Sequence, residues 1–205
     1  FRRLILLVVV FFTTFTASST HIMGGEITWE CIKDPASPDV GKYIFRMKLY
    51  RDCDGTTLST FTQTLNVWGA GAPVTSISMN FISNADISPL GDAANSGNAC
   101  LDCNTNPVGA VEEYIYESAP VNLTGNPPAD GWHFTWNNCC RNAAIVNMAT
   151  SQEGFTLRAS MYPYNDPVSG VPVPADPCFD SSPNFKEQPK TISVSYTHLT
   201  LPTKR

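Results

Sequence analysis

The chain has 205 residues, 15% of them charged, with 13 basic against 18 acidic side chains and a net charge of −5. An acidic balance excludes the clustered Lys and Arg that a phosphate backbone requires, so nucleic acid is not an expected partner. The length allows one sizeable core, or one domain and the start of a second.

Residues 1–19 carry Arg2 and Arg3, then an uninterrupted apolar run from Leu4 to Phe12, then small residues ending in Ala17-Ser18-Ser19. That order is the layout of a secretory signal, with cleavage expected after Ser19. A transmembrane anchor is the competing reading, but the run is about half the roughly 20 residues that span a bilayer. The mature part is therefore expected to be secreted or held at the cell surface.

From residue 24 the pattern is that of strands. Ile27, Trp29 and Cys31 alternate with Glu26, Thr28 and Glu30; Tyr43, Phe45, Met47 and Leu49 alternate with Lys42, Ile44, Arg46 and Lys48. Period-two alternation puts one set on a buried face and the other toward water. A third strand is expected over 60–68, with Phe61, Leu65 and Val67 inward. The turn Gly69-Ala70-Gly71-Ala72-Pro73 leads to a fourth over 74–82, and the two are placed to form a hairpin. A long polar loop follows from Asn84 to Pro107. Residues 110–118 are a strand of weaker pattern. Residues 131–138, with Trp132, Phe134 and Trp136 inward, and 154–162, with Phe155, Leu157, Ala159 and Met161 inward, are strong ones. Residues 144–149 fit a short strand or a helix equally. Seven or eight short strands with Gly/Pro turns and no capped helical period predict an all-β, Ig-like β-sandwich over 20–162. After Tyr162 prolines punctuate the sequence, and 163–192 reads as a Pro-rich linker leading to a following module.

Seven cysteines follow the signal: Cys31, Cys53, Cys100, Cys103, Cys139, Cys140 and Cys178. In an exported chain all are disulfide candidates. The odd count implies a free thiol or a partner outside this sequence. Zinc competes, because Cys100 and Cys103 have C-x2-C spacing and Cys139-Cys140 offer further thiolates. The remaining spacings match no zinc pattern. The adjacent pair points to opposite faces of a strand, so each is expected to find a separate partner.

Candidate sites are few. Trp29, Trp132 and Trp136 read as core. Trp68 falls on the polar side of its strand beside a Gly-rich turn and is the candidate for a ligand-binding platform, although a structural role competes with that. Asp86, Asp92 and Asp102 in the long loop are candidate calcium ligands, against the alternative of solvated loop acids. Asp52-Cys53-Asp54-Gly55 fails the EF-hand pattern, since the position of the bidentate Glu is Gln63. No other cofactor is implied. His133, on a polar strand face near Cys139 and Cys140, lacks an orienting partner for thiol chemistry. Glu112, Glu113 and Glu117 show no opposed carboxylate at glycosidase spacing. No enzyme is expected.

Three segments, HIMGGEITWEC (21–31), YIFRMKLYRDCDG (43–55) and WNNCCRN (136–142), resemble the N-terminal region of large exported proteins of gliding bacteria. Those proteins carry Ig- or PKD-like repeats and are sorted by type IX secretion. The resemblance covers roughly residues 20–192 and implies surface attachment or adhesion, with other modules of the same long chain, surface glycans or cell-envelope proteins as partners. It also implies a further cysteine beyond the PKTI stretch. Residues 193–205, SVSYTHLTLPTKR, depart from the family and resemble an adapter-derived tail. Without Arg2, Arg3, Lys204 and Arg205 the balance falls by a further four, to −9. The function expected is a non-catalytic structural or adhesive module; the alternative is a carbohydrate-binding module of a secreted multidomain protein.

Overall fold

The computed structural model describes residues 22–88, 101–139 and 154–185. It contains strands β1 (Ile22–Cys31), β2 (Tyr43–Asp52), β3 (Gln63–Gly69), β4 (Ala72–Asp86), β5 (Val111–Ser118), β6 (Trp132–Asn138) and β7 (Phe155–Met161). Two short ones follow, β8 (Tyr164–Asn165) and β9 (Pro172–Val173), and no helix occurs among the described residues. The signal segment, residues 144–149, Asp92, Cys100, Cys140 and the 193–205 tail lie outside the described residues.

Strands β1 to β7 form one antiparallel sheet in the order β1-β2-β5-β4-β3-β6-β7. That order is the seven-strand immunoglobulin arrangement, with β1-β2-β5-β4 as one layer and β3-β6-β7 as the other. The layers are joined because β4 belongs to both. Its first half pairs with β3 as far as Met79↔Gln63, and its second half pairs with β5 from Met79↔Ser118 onward. Met79 is fully buried, and a register shift follows between Phe81 and Ser83. A strand that changes layer at a bulge is how a sheet turns a corner.

The inward residues are those the alternation selects. Tyr43, Phe45, Met47 and Leu49 of β2, Leu65 and Val67 of β3, Tyr114 and Tyr116 of β5 and Phe134 of β6 are all almost wholly buried. Each such side chain contributes about 1.5–3 kcal/mol relative to exposure. Aromatic rings bind the two layers: Phe45 and Phe134 lie 4.7 Å apart between centroids, and Trp29 and Phe134 5.5 Å apart. The open side is closed by β7 approaching β1. A Cβ at Gly25 would stand 2.6 Å from Leu157 Cδ1 and 2.5 Å from the Lys48 carbonyl, so only glycine fits between the layers there.

The β3–β4 hairpin follows from its turn. Ala70 (φ 49°) and Gly71 (φ 76°) both take the left-handed conformation, which a two-residue type I′ loop requires. Two boundaries differ from expectation. β3 starts at Gln63, so Phe61 precedes the strand and is 80% exposed rather than inward. β4 extends on both sides of 74–82, because it must reach partners in two layers.

Beyond Tyr162 the proline-rich segment is anchored on the sandwich as far as Ser182, where an extended linker was expected. Cys178 is bonded to Cys31 at the end of β1, with Cα atoms 5.6 Å apart. The Cys178 N–H donates to the Gly41 carbonyl, the Ala175 N–H to Gly125 and the Ser182 N–H to Trp29. The Ser182 and Ser181 hydroxyls accept the Trp29 and Cys31 N–H groups, both at 2.9 Å. This strap covers backbone of the β1 edge that a free edge would leave unpaired.

Candidate functional site

Each layer turns one face outward, and the two faces are chemically unlike. On β1-β2-β5 the outward residues are charged and engaged with one another. Lys48 lies 3.3 Å from Glu26 and 3.5 Å from Glu113, and Arg46 lies 2.6 Å from Glu117. Tyr50 donates to Glu26 at 3.4 Å. Burial, reinforced by the negative charges of Glu26 and Glu113, holds the Tyr50 phenol well above its usual range. Glu113 is 5% exposed, and its Oε2 accepts no hydrogen bond, so Lys48 is its main compensation. A cleft of about 240 Å³ runs beside these residues and is walled on one side by Asn184 and Phe185.

The outward face of β3-β6-β7, with the first half of β4, is different. Register places Asn66 beside Ser76 and Thr135, Thr64 beside Ser78, Trp68 beside His133, and His133 beside Ser160. Asn137 pairs with Thr156 and Thr135 with Arg158. These are hydroxyls and amides, because each alternates with a buried apolar neighbour: Leu65, Val67, Ile77, Phe134, Trp136 and Leu157. Arg158 is the formal cation of this face. Its Nη2 lies 2.9 Å from both ring nitrogens of His133, whose Nδ1 also lies 2.9 Å from Ser160 Oγ.

Trp68 is 37% exposed, as expected for the polar side of its strand. Its indole N–H donates to Thr135 Oγ1 at 2.9 Å. Thr135 stands one strand over and two residues along from the residue paired with Trp68. That bond draws the indole toward β6 while more than a third of the side chain stays open to solvent. Around it, the side chains of Thr64, Asn66, Ser76, Ser78, Asn137 and Thr156 make no hydrogen bond among the described residues. The strand alternation held the signal for this field, since each of its members is the polar partner of a core residue. Sequence reading singled out only the tryptophan.

The other candidates are placed as follows. Asp86 accepts from the Ser88 N–H and hydroxyl and from the Cys103 N–H at 2.8 Å. Desolvation opposes ionisation there, but the Ser88 hydroxyl and the two N–H donors outweigh it and lower the carboxyl. Asp102 accepts the Thr105 hydroxyl and the Thr105 and Asn104 N–H groups, which lower it too. Both acids thus cap turns, and among the described residues no three His, Cys, Asp or Glu side chains could hold a metal ion together. Cys103 is bonded to Cys53, with Cα atoms 5.0 Å apart, so it cannot serve as the zinc thiolate that its spacing to Cys100 suggested. Cys139 is also disulfide-bonded and offers His133 no thiol. Trp132 and Trp136 are core residues, and Trp29 packs partly buried against the same core, with its ring against Phe45 and Phe134.

A polar pair lies inside the sandwich. Arg51 follows Leu49 on the inward register and is 5% exposed. It bonds Glu112 at 2.7–2.8 Å and the carbonyls of Asp52 and Gly55 at 3.0 and 2.8 Å, closing the end of the core where Cys53–Cys103 is attached.

No family model, curated protein or solved structure matches the chain.

Proposed function

We propose that this chain is a non-catalytic structural and adhesive module of a large exported cell-surface protein, of the gliding-bacteria type its sequence resembles, and that it stands at the N-terminal end of a series of modules. One observation carries the reading: Cys31 and Cys178 are joined across 147 residues. Tension applied at the two ends of the module enters through β1 on one side and the 178–185 segment on the other. It meets at the crosslink, so the residues enclosed by that bond cannot be pulled out between the two ends, and they feel the load only through the ladder that β1 makes with β2. The Cys53–Cys103 bond, spanning 50 residues, adds a second closure inside the first. Two disulfides fit an oxidising compartment, as an exported protein requires.

Single-molecule pulling on the two ends of the chain tests this. The reduced chain should release roughly 500 Å more contour length than the oxidised one, at about 3.4 Å for each of the 147 residues. Equal release from both forms would refute a load-bearing role for the crosslink.

A further inference from the structure

We propose that the outward face of β3, β6, β7 and the first half of β4 binds a neutral polysaccharide, with Trp68 as the stacking platform. The proposal rests on the adhesive reading above and names what is adhered to. Three observations converge on this ligand chemistry.

The first is spare hydrogen-bonding capacity. Thr64, Asn66, Ser76, Ser78, Asn137 and Thr156 offer hydroxyls and amides with no partner among the described residues. Such groups both donate and accept, as sugar hydroxyls do. The second is Trp68 itself. Its N–H is already satisfied by Thr135 and the side chain is 37% exposed, so what it offers a ligand is apolar ring surface, which suits the C–H face of a sugar ring. The third is charge. Within this field Arg158 is the cation, and it is held against His133, with Asp130 3.8 Å from the same ring. An acidic polysaccharide or a nucleic acid would need several free cations. A protein partner would need a contiguous apolar centre, whereas the exposed rings of this face among the described residues, Trp68 and, at its border beyond Ser160, Tyr162, stand apart among polar side chains. A neutral polyhydroxylated ligand needs neither.

The dimensions fit a chain rather than a single sugar. Four strands at about 4.8 Å spacing span about 14 Å, and Thr64 to Trp68 along β3 adds about 13 Å in the other direction. With one ring on Trp68, the neighbouring rings reach the hydroxyl and amide rows by running along β3, over Asn66 and Thr64, with Ser76 and Ser78 on one flank and Thr135 on the other.

Affinity electrophoresis of the oxidised chain in native gels tests this, with hydroxyethylcellulose, xylan, β-1,3-glucan and dextran as neutral probes and alginate and heparin as polyanions. At least one neutral polymer should retard the protein, equally at low and high salt. Trp68→Ala should weaken that retardation at least about tenfold. Asn66→Glu, which places a charge among the hydroxyls without touching the core, should abolish it while the protein keeps its circular dichroism spectrum. Lys48→Ala on the opposite face should leave it unchanged. No retardation by any neutral polymer, binding confined to polyanions, or binding undiminished in both Trp68→Ala and Asn66→Glu would overturn the proposal. A chain that carries load through its crosslink but binds no neutral polymer loses the ligand and keeps the module; the reverse result loses the module alone.

Discussion

The two outward faces of this sandwich are built on the same alternation and spend it differently. On β1-β2-β5 the outward positions hold Glu26, Arg46, Lys48, Glu113 and Glu117, joined by ion pairs of 2.6–3.5 Å. On β3-β6-β7 they hold Thr64, Asn66, Trp68, Thr135, Asn137 and Thr156, and of these only Trp68 and Thr135 make a side-chain hydrogen bond among the described residues, to each other. The first face is self-complementary. Each of its charges has an opposite charge beside it, with Lys48 shared by Glu26 and Glu113, and the 178–185 strap borders it. The second face exposes polar groups that water alone satisfies, and those groups cost little to transfer to a ligand of similar polarity. Both described disulfides also start from the charged layer, at Cys31 and just after β2 at Cys53. The outward side chains of one layer are therefore engaged mainly with one another, and those of the other are left available for contacts, although Cys139 at the end of β6 is disulfide-bonded as well.

Substitutions at three places sharpen that contrast. The largest effect is expected from Cys31→Ser, which frees the strap from the stapled layer. Closing a loop of 147 residues restricts the unfolded chain by roughly 5 kcal/mol in the chain-entropy estimate. Urea unfolding of the oxidised variant should show a loss of about 2–5 kcal/mol, with an increased slope as the unfolded state expands. A loss below about 1 kcal/mol would mean that the hydrogen bonds of Ser181 and Ser182 hold the strap without the crosslink.

The second is Lys48→Met. Glu113 is buried with an oxygen that accepts no hydrogen bond, and Lys48 is the cation beside it. Removing the ammonium leaves Glu26 and Glu113 facing each other across the strand between them. The partner lysine is about a quarter exposed, so solvent screens part of the loss, and about 1–3 kcal/mol is expected. Adding Glu113→Gln should recover most of it, because the amide needs no counter-charge. If the double variant is as unstable as the single one, the lysine acts through packing of its stem, and the face is not electrostatically closed.

Much of this architecture is legible in the sequence because it is local. Leu65 and Val67 against Thr64 and Asn66, or Phe134 and Trp136 against Thr135 and Asn137, state the strand and its buried face within a few residues. Ala70-Gly71 states the hairpin. What escapes is non-local. Met79 looks like any inward strand residue, yet it is where β4 passes from one layer to the other. Phe61 fits the alternation of β3 but precedes its first ladder bond. The strap's prolines suggest a linker, and only the bond from Cys178 to Cys31 reveals an anchored segment. Cys53 and Cys103 could each have found several partners by spacing. Arg51 was readable: it continues the inward register of Tyr43, Phe45, Met47 and Leu49, which is where an arginine needs an explanation. Its partner Glu112 is set by the β2–β5 register, which no single strand displays.

The smallest effect is expected on the free face, and its smallness is the point. Thr64→Val keeps the β-branched shape and removes a hydroxyl; Ser78→Ala removes another from the neighbouring strand. Neither hydroxyl has a partner among the described residues, and both residues are exposed. Each change should therefore alter unfolding free energy by less than about 0.5 kcal/mol, as surface substitutions usually do. The same changes to charged residues of the opposite face should cost more, because there each side chain answers to another. If Thr64→Val or Ser78→Ala instead costs more than about 1 kcal/mol, these hydroxyls are already committed to holding the sheet. The face would then have no unused bonding to offer a ligand. Stability data alone can thus separate a surface kept polar for solubility and binding from one whose polar groups are part of the scaffold.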